Sequence, residues 1–316
     1  MLHRLTRPVT PLRPRAWVER VAWIDSRTMA MLGIALAVGA WILIVLLAEP
    51  FGRLWGTGQD ARCYWLPSLS DPYRNSSWTH PTAYVYSPAF LQLVSPLTVL
   101  PWQAFIGVWT GILILAIRLL TGPRWLGLGI VFGAMELAGG NISLLLAVAI
   151  VAGFRWPAAW SFVLLTKVTP GVGLLWFAVR GEWRSLAVAL GATAGVVAVS
   201  AIALPGAWPE WIEVLARNAG RDGTWAAIPV PLWARLPVAV AVVVWGARTD
   251  RRWTVPVAAM LALPALWYGS LSMLLAVIPL RRDRADHGSA HDDPTGAQEG
   301  GGPRPGRSIE SASAVS

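Results

Sequence analysis

The feature that most constrains this chain is a series of apolar runs cut by short clusters of arginine. Residues 29–48, 102–120 and 183–204 are each apolar for about twenty residues, the length a helix needs to cross a bilayer. Only 14% of the 316 residues are charged and the mean hydropathy is +0.52, whereas a soluble domain carries about 25% charge. Inside lipid a backbone must satisfy its own hydrogen bonds, so such runs fold as helices. The expected class is an all-α polytopic membrane protein.

The net charge of +9 does not point to nucleic acid. The arginines fall in small groups between apolar runs, which is the charge pattern that orients membrane spans. Shorter runs at 125–138, 142–154, 156–166, 168–179, 229–246, 253–268 and 270–280 complete an expected ten crossings. Counted to residue 284, seventeen arginines then fall on the inner side, against six arginines and Lys167 outside, so both termini are expected in the cytoplasm. Runs of 11 to 14 residues are short for a bilayer and suit broken helices around a cavity. Residues 1–28 read as a cytoplasmic basic arm, because six arginines precede an apolar run too long for a signal core. Residues 29–280 form the transmembrane domain. The tail, 281–316, is rich in Gly, Ser, Asp and Pro and is expected to be disordered.

Two outer loops interrupt this plan, at 49–101 and 205–228. The first is aromatic and polar and shows no sustained helical period before Pro88. Its later part, "SPAFLQLVSPLTVLP", is too short to cross and predicts an interfacial helix. In the second, "WPEWIEVLAR" puts Trp208, Trp211 and Leu215 on one face and Glu210, Glu213 and Arg217 on the other, a helix lying on the membrane surface.

A few residues could carry chemistry. Asp60, about a dozen residues past the first span, is either a solvated loop carboxylate or a general base within reach of a hydroxyl. Asp71, in "SDPY", reads as a turn former. Lys167 is the single lysine among 25 arginines; it either snorkels to headgroups or faces a phosphate, which suits a compact ammonium. Glu136 lies in an apolar segment just before Asn141, a depth where a carboxylate is functional or pairs with a buried partner. Arg217, Asn218, Arg221 and Asp222 crowd the second outer loop. Trp65, Trp78 and Trp225 could stack on a sugar ring or pack on lipid. Cys63 is the one cysteine, so an intramolecular disulfide is excluded. The four histidines, His287 and His291 among them, show no zinc spacing, and no phosphate loop appears. No metal and no cofactor are expected.

Read together, "DARCYW", "DPY" and "YVYSPAFLQLVSPLTVLPW" resemble the first outer loop of glycosyltransferase family 87. "GGNISLLLAVAIVAG" resembles that family's Gly-Asn or Gly-Gln segment, and "TKVTPGVGLLWFAVRGEWRSL" its Lys-x-x-Pro element with an arginine-rich inner loop. The resemblance covers about residues 30–280 and includes mycobacterial α-mannosyltransferases. It implies a GT-C-like fold and transfer of a sugar from a polyprenyl-phosphate donor to a lipid-linked or cell-envelope glycan acceptor. By the same resemblance Asp60 is the base and Lys167 meets the donor phosphate. Tyr64, Trp65, Tyr86, Glu136, Asn141, Arg217, Asn218 and Trp267 become possible substrate contacts, beside membrane lipids as the surroundings. The final hairpin, "LPALWYGSLS", keeps Trp267 but has Gly269 and Ser270 where the family carries histidine. Mannose or arabinose transfer, or non-catalytic lipid or glycan binding, all fit at this point.

Overall fold

The computed structural model describes residues 25–49, 56–74, 76, 80, 83–219 and 228–281. The basic arm up to residue 24, the tail from 282, and Trp78, Arg221, Asp222 and Trp225 lie outside the described residues.

Every regular element among the described residues is helical. Three helices are long and apolar enough to cross a membrane: α1 (Ser26–Leu47), α4 (Trp102–Thr121) and α10 (Trp183–Ala203). α1 and α10 present large apolar side chains outward, with Leu46 75% and Ile202 84% exposed. Apolar surface of that extent is at equilibrium in hydrocarbon rather than in water. α4 is different, because it buries Phe105, Ile106, Leu113 and Ile117 completely.

The other expected crossings are shorter. They are α5 (Leu126–Phe132), α6 (Ala134–Gly139), α7 (Ser143–Gly153), α8 (Trp160–Thr166), α9 (Leu175–Val179), α12 (Leu232–Arg248) and α13 (Thr254–Leu261), with 3₁₀ runs at Pro157–Ala159, Thr169–Leu174 and Gly269–Ala276. Among the described residues three elements have full crossing length, and the other seven expected crossings correspond to shorter or broken helices. Pro157 and Pro170 each open a 3₁₀ turn, where a missing N–H costs least. Short helices of this kind persist in a membrane protein where protein surrounds them. α7 fits that rule: Leu144, Leu146, Ala147 and Ile150 are all fully buried.

The expected first outer loop is more regular, in its described residues, than its sequence suggests. It opens with a seven-residue helix, α2 (Gln59–Trp65), which starts after Gly58 at φ +78° and ends before Pro67. The expected interfacial helix is α3 (Pro88–Thr98), capped by the Ser87 hydroxyl, which accepts the Phe90 N–H at 3.3 Å. Between them the tyrosines build a core instead of facing lipid. The Tyr64 ring packs 5.3 Å from Tyr86, 5.4 Å from Phe90 and 5.3 Å from Trp109. Aromatic pairs at such spacings add stabilisation beyond area burial.

The second loop forms the helix expected of it, α11 (Ala207–Ala219), with Glu210, Glu213 and Arg217 exposed. Its buried side is Ala207, Trp211 and Val214, while Leu215 stays 39% exposed. The apolar face is thus rotated from the sequence expectation, because α11 packs on the first loop, where the Trp211 indole N–H donates to the Val85 carbonyl at 3.2 Å.

Candidate functional site

α2, the end of α8, α11 and the segment 264–267 enclose a cavity of about 300 Å³. Asp60, on the first turn of α2, reaches it because two glycines let the backbones close. Gly140 has φ +72°, and a side chain there would place Cβ 2.7 Å from the Ala61 Cβ. A Cβ on Gly139 would stand 3.2 Å from Asp60 Oδ2. The Gly58 N–H donates to the Ala138 carbonyl at 2.7 Å and pins the start of α2 to the same strip.

Asn141 links the two groups that the sequence singles out. Its Nδ2–H donates to Asp60 Oδ2 at 3.0 Å, and its Oδ1 accepts from Lys167 Nζ at 3.4 Å. The Ile142 N–H also donates to that Oδ1, at 2.6 Å, which fixes which end of the amide is the donor. Lys167 follows the last residue of α8, where the chain leaves the helix beside Thr166 and Thr169, both on the cavity wall. Burial raises the Asp60 carboxyl above the ordinary carboxylate range, against the opposing pull of the Lys167 charge, the Asn141 hydrogen bond and, least, the Arg62 charge. The Cys63 thiol, one turn along α2, is pushed up to about 12 chiefly by burial and so stays protonated at neutral pH.

The structure sorts the expected contacts into three groups. Asp60, Tyr86, Asn141, Lys167, Asn218 and Trp267 all line the cavity. Tyr64 and Glu136 stand behind its wall. Tyr64 is 1% exposed and its hydroxyl lies 3.2 Å from that of Tyr86. Glu136 is 2% exposed, and its Oε1 accepts the N–H of Ser143 at the start of α7. Trp65 and Arg217 are elsewhere. Trp65 donates to the Leu100 carbonyl at 2.9 Å and packs 5.4 Å from Trp102, so its indole serves packing. Arg217 is exposed and donates to Ser76 Oγ at 3.3 Å.

Other wall residues escape a reading from sequence. Gln59, Cys63 and His80 line the cavity with Asp60, while Trp211 and Val214 share a helical spacing with the expected Asn218 along α11, the one signal that would have marked that face. Arg235 is also hidden: it is buried and donates to the carbonyls of Val230 (2.7 Å), Leu261 (2.6 Å) and Pro264 (3.1 Å). It thereby holds the segment leading to Trp267. Gly269 explains its own identity, since a Cβ there would lie 2.7 Å from Glu136 Oε2. The volume a side chain would need is filled by the Glu136 carboxylate. Among the described residues no group of three or more His, Cys, Asp or Glu could hold a metal ion.

The arrangement pairs a half-buried carboxylate with a cation across one amide, beside a cavity walled by aromatic and amide side chains. Comparisons with curated proteins and with solved structures found no match. The family model of glycosyltransferase family 87 does match, over residues 84–288, a stretch that holds Tyr86, Asn141, Lys167, Asn218 and Trp267 and begins after Asp60. Because that match covers well over half of the chain and the helices have membrane character, the chain belongs to glycosyltransferase family 87.

Proposed function

We propose that the chain is an inverting glycosyltransferase that moves mannose from a polyprenyl-phosphate donor to a hydroxyl of a lipid-linked or cell-envelope glycan. Asp60 is the general base. The acceptor O–H gives its proton to the Asp60 carboxylate as its oxygen attacks the anomeric carbon. The bond from that carbon to the phosphate oxygen breaks, and the polyprenyl phosphate leaves with the electron pair. Lys167 faces the departing phosphate, whose growing negative charge an ammonium stabilises. The cavity holds both substrates in line, which supplies much of the remaining acceleration. Two multi-pass features complete the proposal: both termini are cytoplasmic and the cavity opens to the outer side.

The observation that carries this reading is the Asp60–Asn141–Lys167 chain of contacts at one cavity. Inverting transfer from a lipid phosphate needs a proton acceptor and a phosphate partner at one site, and the closeness of this carboxylate and this ammonium supports that reading. A general base whose carboxyl is raised by burial is also a stronger proton acceptor than an exposed one. The same fold and groups would serve arabinofuranose transfer, and the donor assay separates the two.

The test uses membranes carrying the full chain, supplied with polyprenyl-phosphate mannose, arabinose, glucose or galactose. Transfer from the mannose donor with inverted anomeric configuration is the expected outcome. Transfer from the arabinose donor alone would replace the sugar. Failure with every polyprenyl-phosphate donor, while a nucleotide sugar is used, would overturn the reading.

A further inference from the structure

The helices that carry the cavity at one end gather arginines at the other. α7 starts at Ser143, beside Asn141, and ends at Gly153, so Phe154 and Arg155 lie a helix length away from the cavity. At that end five guanidinium groups stand over aromatic rings. Arg155 is 5.1 Å from the Trp156 ring centre, Arg180 5.2 Å from Trp176, Arg251 4.8 Å from Trp245, Arg252 5.6 Å from Phe154 and Arg281 5.0 Å from Trp253. The rings touch in turn, Trp245 with Trp253 at 6.1 Å and Phe154 with Trp176 at 5.5 Å. Residues distant in sequence are thereby joined into one surface.

All five arginines are exposed. The nearby carboxylates of Glu182 and Asp250 both meet Arg180, at 2.7 and 2.9 Å. Arg155, Arg252 and Arg281 are held by rings. A guanidinium lying on a ring uses its face and keeps its N–H edges directed outward, the geometry that takes phosphate oxygens two at a time. Stacking also fixes the side chain beforehand, so less freedom is lost on binding. Tryptophans at the ends of apolar helices sit at headgroup level. A phosphate at that level belongs to a lipid.

We propose that this face binds the phosphate headgroups of anionic phospholipids, with Arg155, Arg252 and Arg281 as the principal contacts. The proposal is independent of the transfer reaction, because none of these residues touches the cavity.

The experiment places the purified full chain in phosphatidylcholine nanodiscs with increasing phosphatidylglycerol and measures lipid retention by native mass spectrometry. Each basic residue near an anionic surface is worth roughly a factor of five, so phosphatidylglycerol is expected to be retained about a hundredfold over phosphatidylcholine by the wild type. Arg155→Gln/Arg252→Gln/Arg281→Gln is expected to lose that preference, and the corresponding triple lysine variant to keep part of it. The single Arg155→Gln variant gives a readable partial loss where the triple variant fails to fold. Equal retention of both lipids by the wild type, or full preference in the glutamine variants, overturns the proposal. So does inorganic polyphosphate that binds in pure phosphatidylcholine discs as tightly as phosphatidylglycerol does, since the surface would then serve a soluble anion.

Discussion

The side-chain amide of Asn141 stands between Asp60 and Lys167, donating to the carboxylate at 3.0 Å and accepting from the ammonium at 3.4 Å. The amide cannot turn over, because the Ile142 N–H holds its oxygen at 2.6 Å. Both ends of Asn141 are therefore engaged by protein, and the role proposed for it is to set the other two.

Asn141→Leu tests that role through pH. Burial raises the Asp60 carboxyl and the Asn141 hydrogen bond lowers it. Loss of the bond raises it further, so more alkaline conditions are needed to ionise the base. The acid limb of kcat/KM is expected to lie above the ordinary carboxylate range in the wild type and to move to still higher pH in the variant. The sign for stability is opposite to that for activity. A carboxyl raised by the fold stabilises it below its unfolded pKa, and that contribution is lost as pH rises through the folded value. A reduced rate with an unmoved acid limb would leave Asn141 a purely structural part.

Lys167→Ala should weaken donor use more than Lys167→Arg, since both charged forms can oppose a phosphate and alanine cannot. A phosphate contact by a charged group is worth about 1.5–3 kcal/mol, or roughly one to two decades in kcat/KM for the donor. Titration of donor with the purified variants measures it. Wild-type donor dependence in both variants would assign Lys167 to the lipid headgroups.

Gly140→Ala should cost about 1–3 kcal/mol of stability, as expected for a side chain forced into a left-handed backbone, here φ +72° with Ala61 Cβ only 2.7 Å from the new atom. Gly191→Ala is the matched control, because a Cβ there meets nothing within 4 Å, and alanine is the better helix former. Thermal melts of both variants decide the point. A Gly140→Ala melt equal to that of Gly191→Ala would mean that α2 can shift away from the 139–141 strip.

How much of this was legible depended on whether a signal is local. α1, α4 and α10 could be read from sequence because twenty apolar residues are a local fact. The short helices were only partly legible, since glycine and proline end a helix visibly but tertiary packing decides whether the pieces persist. Asp60, Asn141 and Lys167 each stood out alone, yet their meeting spans 81 and 26 residues of sequence and no local pattern encodes it. Trp65 is open to two readings for the same reason: an indole that packs on Trp102 looks, in sequence, like one that stacks on a sugar. Arg235 was invisible because its partners are backbone carbonyls brought together by the fold. The disposition of Leu215 was missed because packing against Val85 rotates α11.

The proposed topology rests on charge. Reporter fusions at residue 284 are expected to be active in the cytoplasmic format only, as arginine-rich segments stay inside. Activity in the outer format would merge the last hairpin into one crossing and move the C-terminal end to the outer side.

The central claim is that Asp60 accepts the acceptor's proton. Asp60→Asn keeps the shape and can still meet Asn141, but it cannot take a proton, and loss of a general base costs about 10²–10⁴-fold in rate. Asp71→Asn is the control, because Asp71 is exposed and occupies a tight turn bridged to Ser68. The decisive measurement is the rate of sugar transfer from the polyprenyl-phosphate donor by both variants at saturating substrate, beside their melting temperatures. The account predicts an Asp60→Asn protein that melts like the wild type and is at least about a hundredfold slower, beside an Asp71→Asn protein of near wild-type rate. An Asp60→Asn protein that transfers sugar at the wild-type rate would contradict it.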